Sequence, residues 1–197
     1  MLLSTEGACP QSETNPFYIF RMNEPSLRYT DERDKSYGIA GMAITLVAID
    51  GEKYLAEIRL DAEPGDCMVM THDFGFKGNP RMSAKIVWNQ TLNELRTGAS
   101  MTLGNLACRR YVLGGTGMSH ADTESIRAAV RKEALEHCEL EADEADALFD
   151  SCMSYVDRIF RHSGVHRVAH SFVEQLMSRR TMSAAEAIEL LAQLGMR

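Results

Sequence analysis

The chain lacks an excess of positive charge. Its 28 aspartates and glutamates outnumber its 21 lysines and arginines, and the formal net charge is −7 at pH 7. Proteins that bind nucleic acid or an anionic membrane surface typically carry a basic surface that neutralises phosphate groups. The sequence therefore predicts neither a nucleic-acid partner nor a membrane partner.

Long hydrophobic runs and closely spaced cysteines are also missing. No stretch approaches the ~18 consecutive apolar residues of a membrane-spanning helix, and the first residues lack the basic start of a secretory signal. No Cys-x-x-Cys occurs, so neither a disulfide framework nor a zinc ribbon is indicated. We expect free, buried thiols in a cytoplasmic protein. The five scattered cysteines are Cys9, Cys67, Cys108, Cys138 and Cys152.

The sequence also contains no motif of high specificity for catalysis or ligand binding. Two glycine-containing segments, residues 73–81 and 114–117, lie next to predicted helices, whose free N–H groups can bind an anion. Their spacing matches neither GxxxxGK[ST] nor GxGxxG. We therefore interpret both segments as loops that need the torsions of glycine. The sequence leaves the catalytic residues unknown, and we predict no organic cofactor.

The residue pattern that is present changes near Pro80. Before it, two apolar segments at 38–49 and 52–60 flank Asp50-Gly51, which is typical of a two-residue hairpin turn. A second turn at 64–66 leads to a short strand at 67–70, and the aromatic run at 17–20 is consistent with an edge strand. The first 80 residues therefore predict a small antiparallel β-meander.

After Pro80 the apolar residues recur at helical spacing. Asn79-Pro80 is a start signal for a first helix, Ser119-x-x-Asp122 for a third, and Ser183-x-x-Glu186 is a capping box for the last. The predicted ranges are 80–98, 100–113, from 119, 143–163, 165–180 and 183–194. The fold class is α+β, with a flexible segment at 1–16, a β subdomain at 17–78 and a helical subdomain of about six helices at 79–197.

Three histidines are spaced four residues apart: His162, His166 and His170. On one helix they would share a face, where imidazoles can bind zinc or a similar metal ion. Ser163-Gly164 is a natural break that would remove His162 from the row. The candidate metal ligands are therefore His166, His170 and His137, with Cys138 or Cys152 as possible further ligands. The simpler interpretation is that His166 and His170 flank an apolar stripe and bind no metal.

Two other patterns have a simple structural explanation. The two helices predicted at 80–113 resemble a DNA-reading helix-turn-helix, but Arg109 and Arg110 lie near the C-terminal end of the second helix, and bases are contacted mainly from the N-terminal half. We interpret the pair as a helical hairpin. The acidic residues at 139–150 lack the order of a calcium loop and are interpreted as a solvated helix face.

The sequence leaves function open. A strand at 38–49 would be apolar on both faces, which a three-stranded sheet cannot cover, so we expect a homodimer or higher homo-oligomer. The prediction is a non-catalytic, self-associating binding or assembly module whose small-molecule ligand is unknown. The alternatives are a metal-dependent enzyme built on the histidines, and a small-molecule sensor with a pocket between sheet and helices.

Overall fold

The computed structural model describes residues 27–75 and 82–192. In these residues the chain forms six α-helices and a three-stranded antiparallel sheet, which confirms the α+β class. No helix in this part of the chain is long and apolar enough to cross a membrane. The helices are α1 (Glu32–Ala48), α2 (Ala84–Ala107), α3 (His120–Cys138), α4 (Ala142–Phe160), α5 (Ser163–Arg179) and α6 (Ala184–Leu191); the strands are β1 (Leu55–Arg59), β2 (Met68–Met70) and β3 (Thr181–Ser183).

Helix α1 lies at the centre of the molecule and packs against α2, α5 and α6. The Asp31 side chain accepts a hydrogen bond of 2.7 Å from the Asp34 N–H and so caps the first turn. The helix is buried on nearly every side. Its fully buried apolar residues are Ile39, Ala40, Ala43, Ile44 and Leu46.

The predicted strand at 38–49 and the hairpin at Asp50-Gly51 are therefore wrong. A helix that is covered on all sides shows no amphipathic period, and a run of small and β-branched apolar residues is equally compatible with a buried strand. The left-handed residue at this turn is Asp50, with φ 55°, whereas Gly51 has φ −96°. The prediction of self-association rested on a strand at 38–49 with two uncovered apolar faces. The chain itself covers this segment, so that reason no longer applies.

Helices α1 and α2 are in backbone contact where two glycines meet. A Cβ added to Gly41 would lie 2.1 Å from the carbonyl oxygen of Gly104. A Cβ added to Gly104 would lie 2.0 Å from Thr45 Oγ1 and 2.7 Å from the Gly41 carbonyl oxygen. Neither position has space for a side chain, because interiors at this packing density leave no free volume.

The sheet has the order β2-β1-β3. Strands β1 and β2 are joined through the turn at 64–66, as the sequence predicts, and Ile58 of β1 pairs with Met68. Strand β3 was not predicted: it follows α5 and pairs with the other edge of β1, so that Ile58 also faces Met182. Both Ile58 and Met182 are completely buried. The edge strand predicted at 17–20, the flexible segment at 1–16 and the start signal Asn79-Pro80 lie outside the described residues.

Helix α2 replaces the two helices predicted at 80–98 and 100–113. It begins after Ser83, passes Gly98 without a turn and continues as a π-helical turn, Cys108–Leu113. A glycine within a helix costs about 1 kcal/mol relative to alanine, but burial of the neighbouring Ala99 and Leu103 offsets that cost. There is no turn at 97–100, so the predicted helical hairpin is wrong. The resemblance to a helix-turn-helix, which depended on that turn, is also lost.

The remaining helices follow their predicted patterns. Ser119 and Asp122 form the expected capping box of α3. The break between α4 and α5 falls slightly earlier than predicted, since α4 ends at Phe160 and His162 caps α5, which places Gly164 in the first turn of α5 rather than after α4. The predicted apolar stripe of α4 is buried throughout: Ala145, Leu148, Phe149, Cys152, Val156, Ile159 and Phe160.

The capping box of α6 yields a stability prediction. Ser183 Oγ accepts a hydrogen bond from the Glu186 N–H at 3.4 Å, and Glu186 Oε2 accepts one from the Ser183 N–H at 2.8 Å. We expect Ser183→Ala to lower the free energy of unfolding by about 1 kcal/mol, because the first turn of α6 loses its side-chain acceptor. Hydrogen exchange should be faster at residues 184–191. Ser178→Ala, an exposed change on α5, is the control; equal exchange in both variants would contradict the prediction.

Candidate functional site

A pocket of about 610 Å³ opens between the C-terminal end of α1, the turn that precedes β1, and the middle of α2 and α4. We call it the interhelical pocket. It is lined by residues 48–51, by Lys53 and Tyr54, by Asn93, Arg96, Thr97 and Ser100 of α2, and by Ser151, Cys152 and Tyr155 of α4.

The end of α1 shapes one wall of this pocket. The left-handed torsion of Asp50 turns the chain back, and the Gly51 N–H donates a hydrogen bond of 2.8 Å to the Leu46 carbonyl oxygen. Gly51 packs so closely that an added Cβ would lie 2.5 Å from Leu46 Cδ1. Across the pocket, the Tyr155 hydroxyl donates a hydrogen bond of 2.5 Å to the Ala48 carbonyl oxygen. Residues 48–51 are therefore held at one end by α4 and at the other by the last turn of α1.

The floor of the interhelical pocket is formed by the buried residues Ser100 and Cys152. The Cys152 thiol is within 3.8 Å of the Arg96 carbonyl oxygen, to which it donates. Burial raises the pKa of this thiol, and the Ser100 hydrogen bond and the Arg96 charge oppose the rise only in part. The sulfur is therefore protonated at neutral pH, which is the unreactive form of cysteine.

The rim of the interhelical pocket carries an excess of positive charge. Lys53 and Arg96 contribute two cations, and among the described residues that line the pocket Asp50 contributes the one carboxylate. Lys53 Nζ lies 4.9 Å from the centre of the Tyr54 ring. Within residues 27–75 and 82–192, no carboxylate forms an ion pair with Arg96. On a chain of net charge −7, this is a local site at which an anion is attracted.

The predicted metal-binding histidines lie outside the interhelical pocket. On α5, His166 Nε2 is 2.6 Å from the Phe160 carbonyl oxygen, and His170 Nδ1 is 2.6 Å from the Tyr37 hydroxyl. His137 lies on α3, with Nε2 3.2 Å from Glu133 Oε2. Among the described residues, the one group of three or more metal-ligand types with atoms in mutual reach contains His137 but neither His166 nor His170. The structure therefore does not bring the three histidines together.

Arg109 belongs to a buried ion pair at the N-terminal end of α1, opposite the end that lines the pocket. Its Nε and one terminal nitrogen donate to the two Asp34 carboxylate oxygens at 2.6 and 2.7 Å, and both side chains are 9% exposed. The Thr30 N–H also donates to Asp34, at 2.9 Å, and the guanidinium lies 5.0 Å from the centre of the Tyr29 ring. Arg110 is paired with Asp122. Both arginines therefore hold the fold together.

The described residues of the two glycine-containing segments, 73–75 and 114–117, lie outside helices and strands, with positive φ at Gly75 and Gly115. The Gly75 N–H donates to a carboxylate oxygen of Glu94 at 3.2 Å; residues 76–81 lie outside the described chain. The cysteines within the described ranges are free and buried: Cys67, Cys108, Cys138 and Cys152.

Comparison of the chain with protein-family models, curated proteins and solved structures finds no match. Arg96, Lys53 and Tyr155 were not identified from the sequence, because the segments that carry them are distant along the chain and form no local motif. Their proximity depends on where α1 ends. A strand predicted at 38–49 does not give the position of that helix end.

Proposed function

We propose that this protein is a non-catalytic binding module that takes a small organic anion in the interhelical pocket. The observation that carries the proposal is the pair of cations, Arg96 and Lys53, at a pocket of about 610 Å³ that has a single lining carboxylate. The proposal keeps the binding module predicted from the sequence but places the ligand between helices, whereas the sensor alternative placed a pocket between sheet and helices.

The size and lining of the pocket support a ligand of this class. Small-molecule sites in proteins typically have volumes of about 300–1,000 Å³. A guanidinium presents two parallel N–H donors that match the two oxygens of a carboxylate or phosphate. The rings of Tyr54 and Tyr155 give the rest of the ligand a flat apolar surface, and the hydroxyls of Ser100 and Ser151 add polar contacts.

The state of the cysteine supports binding rather than covalent catalysis. Cys152 is the nucleophilic side chain of the lining with the greatest intrinsic reactivity, and burial raises its pKa. Four buried free thiols also support the cytoplasmic location predicted from the sequence. Self-association stays a prediction to which we assign no surface.

The proposal can be tested with small aromatic carboxylates and phosphates, each compared with its neutral amide or alcohol analogue. The anionic compounds should raise the melting temperature by mass action, and the neutral analogues should not. Arg96→Gln should weaken binding of the active anion by about tenfold or more, because it removes a charge-assisted hydrogen bond. Isothermal titration calorimetry measures this change.

Two controls connect such binding to the interhelical pocket. Arg167→Gln changes an exposed arginine of α5 that does not line the pocket, and it should leave the affinity unchanged. Bound ligand should slow backbone hydrogen exchange at residues 48–51, which line the pocket, relative to exchange at residues 184–191 of α6. Equal affinity in Arg96→Gln and the native protein, or unchanged exchange at residues 48–51, would show that the pocket is not the binding site.

A further inference from the structure

Three side chains on the last turns of α3 converge on one face of the helix. Glu133, Glu136 and His137 are spaced i, i+3 and i+4, which places them side by side. One potential ligand atom from each lies within 4.8 Å of the other two. None of them lines the interhelical pocket. This group, which we call the α3 cluster, is thus a separate feature of the molecule.

Glu133 forms the buried part of the α3 cluster. The residue is 5% exposed, and its Oε2 atom is buried without a hydrogen-bond donor in the described structure. His137 Nε2 is 3.2 Å from that oxygen, which is within ion-pair distance, but the contact does not meet the geometry of a hydrogen bond. A buried carboxylate oxygen that lacks a donor is costly. Its burial points to a positively charged partner.

The separation of these two atoms fits a shared metal ion. Two ligands bonded to one zinc ion at about 2.0–2.1 Å lie roughly 2.9–3.4 Å apart at octahedral or tetrahedral angles. The distance between Glu133 Oε2 and His137 Nε2 is 3.2 Å. Glu136 is exposed, and the His137 side chain is 40% exposed, so an ion can reach the cluster from solvent.

We propose that the α3 cluster binds a divalent transition-metal cation such as Zn²⁺ through Glu133, Glu136 and His137, with water as the remaining ligand. One imidazole nitrogen and two carboxylate oxygens are a donor set that this class of ion accepts. The position near the C-terminal end of α3 also favours a cation, because the helix dipole is negative there.

Helix α3 contains a matched pair that lacks the buried carboxylate. His120 and Glu124 are also spaced i, i+4, with the ring nitrogen 3.5 Å from a carboxylate oxygen. Their side chains are 87% and 46% exposed, and Glu124 also pairs with Arg127 at 3.3 Å. A His120 variant therefore serves as the control for a histidine beside a glutamate on the same helix.

The experiment titrates Zn²⁺ and Co²⁺ into the metal-free full chain. The native protein should bind one equivalent of Zn²⁺ and melt at a higher temperature in its presence. His137→Gln and Glu133→Gln should each weaken binding by about tenfold or more, since each removes one ligand, whereas His120→Gln should bind as the native protein does. Bound Co²⁺ should show visible d–d absorption without the near-ultraviolet charge-transfer band of a thiolate ligand.

Three results would overturn the proposal: no stoichiometric Zn²⁺ binding by the native protein, equal affinity in native protein and His137→Gln, or a thiolate band with Co²⁺, which would assign the ion to cysteines such as the neighbouring Cys138. His137 is partly exposed, so its replacement tests binding even if Glu133→Gln fails to fold. Arg96→Gln should retain full metal affinity, which keeps this result separate from that of the interhelical pocket.

Discussion

Replacing Gly41 with alanine is expected to lower the free energy of unfolding by about 2 kcal/mol, measured by chemical denaturation. Two effects oppose each other. Alanine favours an α-helix over glycine by about 1 kcal/mol. The added Cβ, however, would lie 2.1 Å from the Gly104 carbonyl oxygen, which is backbone and cannot move aside alone. Helices α1 and α2 must then separate along their contact, and overpacking of a core costs about 1–3 kcal/mol or more.

Gly104→Ala should have an effect of similar size, since its Cβ would meet Thr45 and the Gly41 carbonyl oxygen. Gly65→Ala is the control, because that glycine has no neighbour within 4 Å of an added Cβ and does not need a positive φ. The control should change the free energy of unfolding by less than about 0.5 kcal/mol. Native stability in Gly41→Ala would contradict backbone contact between the two helices.

Arg109→Met is expected to lower the free energy of unfolding by about 3–5 kcal/mol at neutral pH, because it leaves the buried Asp34 carboxylate without its cation. The Asp34→Asn/Arg109→Met double variant should be more stable than Arg109→Met alone, since it removes the stranded charge. Arg167→Met, at an exposed position of α5, is the control and should have little effect. Equal losses in the single and double variants would show that the carboxylate is not the source of the penalty.

The same pair makes stability depend on pH. Burial alone would raise the pKa of Asp34, but hydrogen bonds from Arg109 and Thr30 and the Arg109 charge lower it below its ordinary value of 3.8. A carboxyl whose pKa is lowered by folding contributes stability above its unfolded pKa, and that contribution is lost as the pH falls through the folded pKa. In Arg109→Met the lowering contacts from the guanidinium are gone. The difference in stability between native protein and variant should therefore begin to shrink as the pH falls through the higher pKa of Asp34 in the variant, and should continue to shrink down to the lowered pKa of the native carboxyl.

The part of the fold that could be predicted from sequence is the part with one exposed face. Helix α4 shows a clear apolar stripe, and Ser119 and Ser183 begin helices with side chains that bond to the next turn. Helix α1 has no such face. Its apolar residues surround the whole axis, so periodicity could not distinguish it from a buried strand. Strand β3 is three residues long, and its last residue, Ser183, is also the N-cap of α6. The sequence pattern there indicates only the start of the helix.

The interhelical pocket and the α3 cluster could not be predicted from the sequence for a different reason. Three separate segments form the interhelical pocket, residues 48–54, 93–100 and 151–155, and none of them carries a motif. In the α3 cluster the spacing of Glu133, Glu136 and His137 is visible in the sequence, but spacing alone does not tell which glutamate is buried. Glu133 differs from Glu136 only by its position relative to the core. Burial depends on how helices pack, and a local pattern does not contain that information.

The position of β3 has a consequence for synthesis on the ribosome. Helices α2, α3 and α4 follow one another along the chain and pack against their neighbours, so they can associate early. Strand β1 is made before all of them, yet its second edge waits for residues 181–183, which pair with residues 57–59. Until then β1 exposes unpaired backbone groups that another nascent chain can bind. Truncation after α5 would make that temporary exposure permanent.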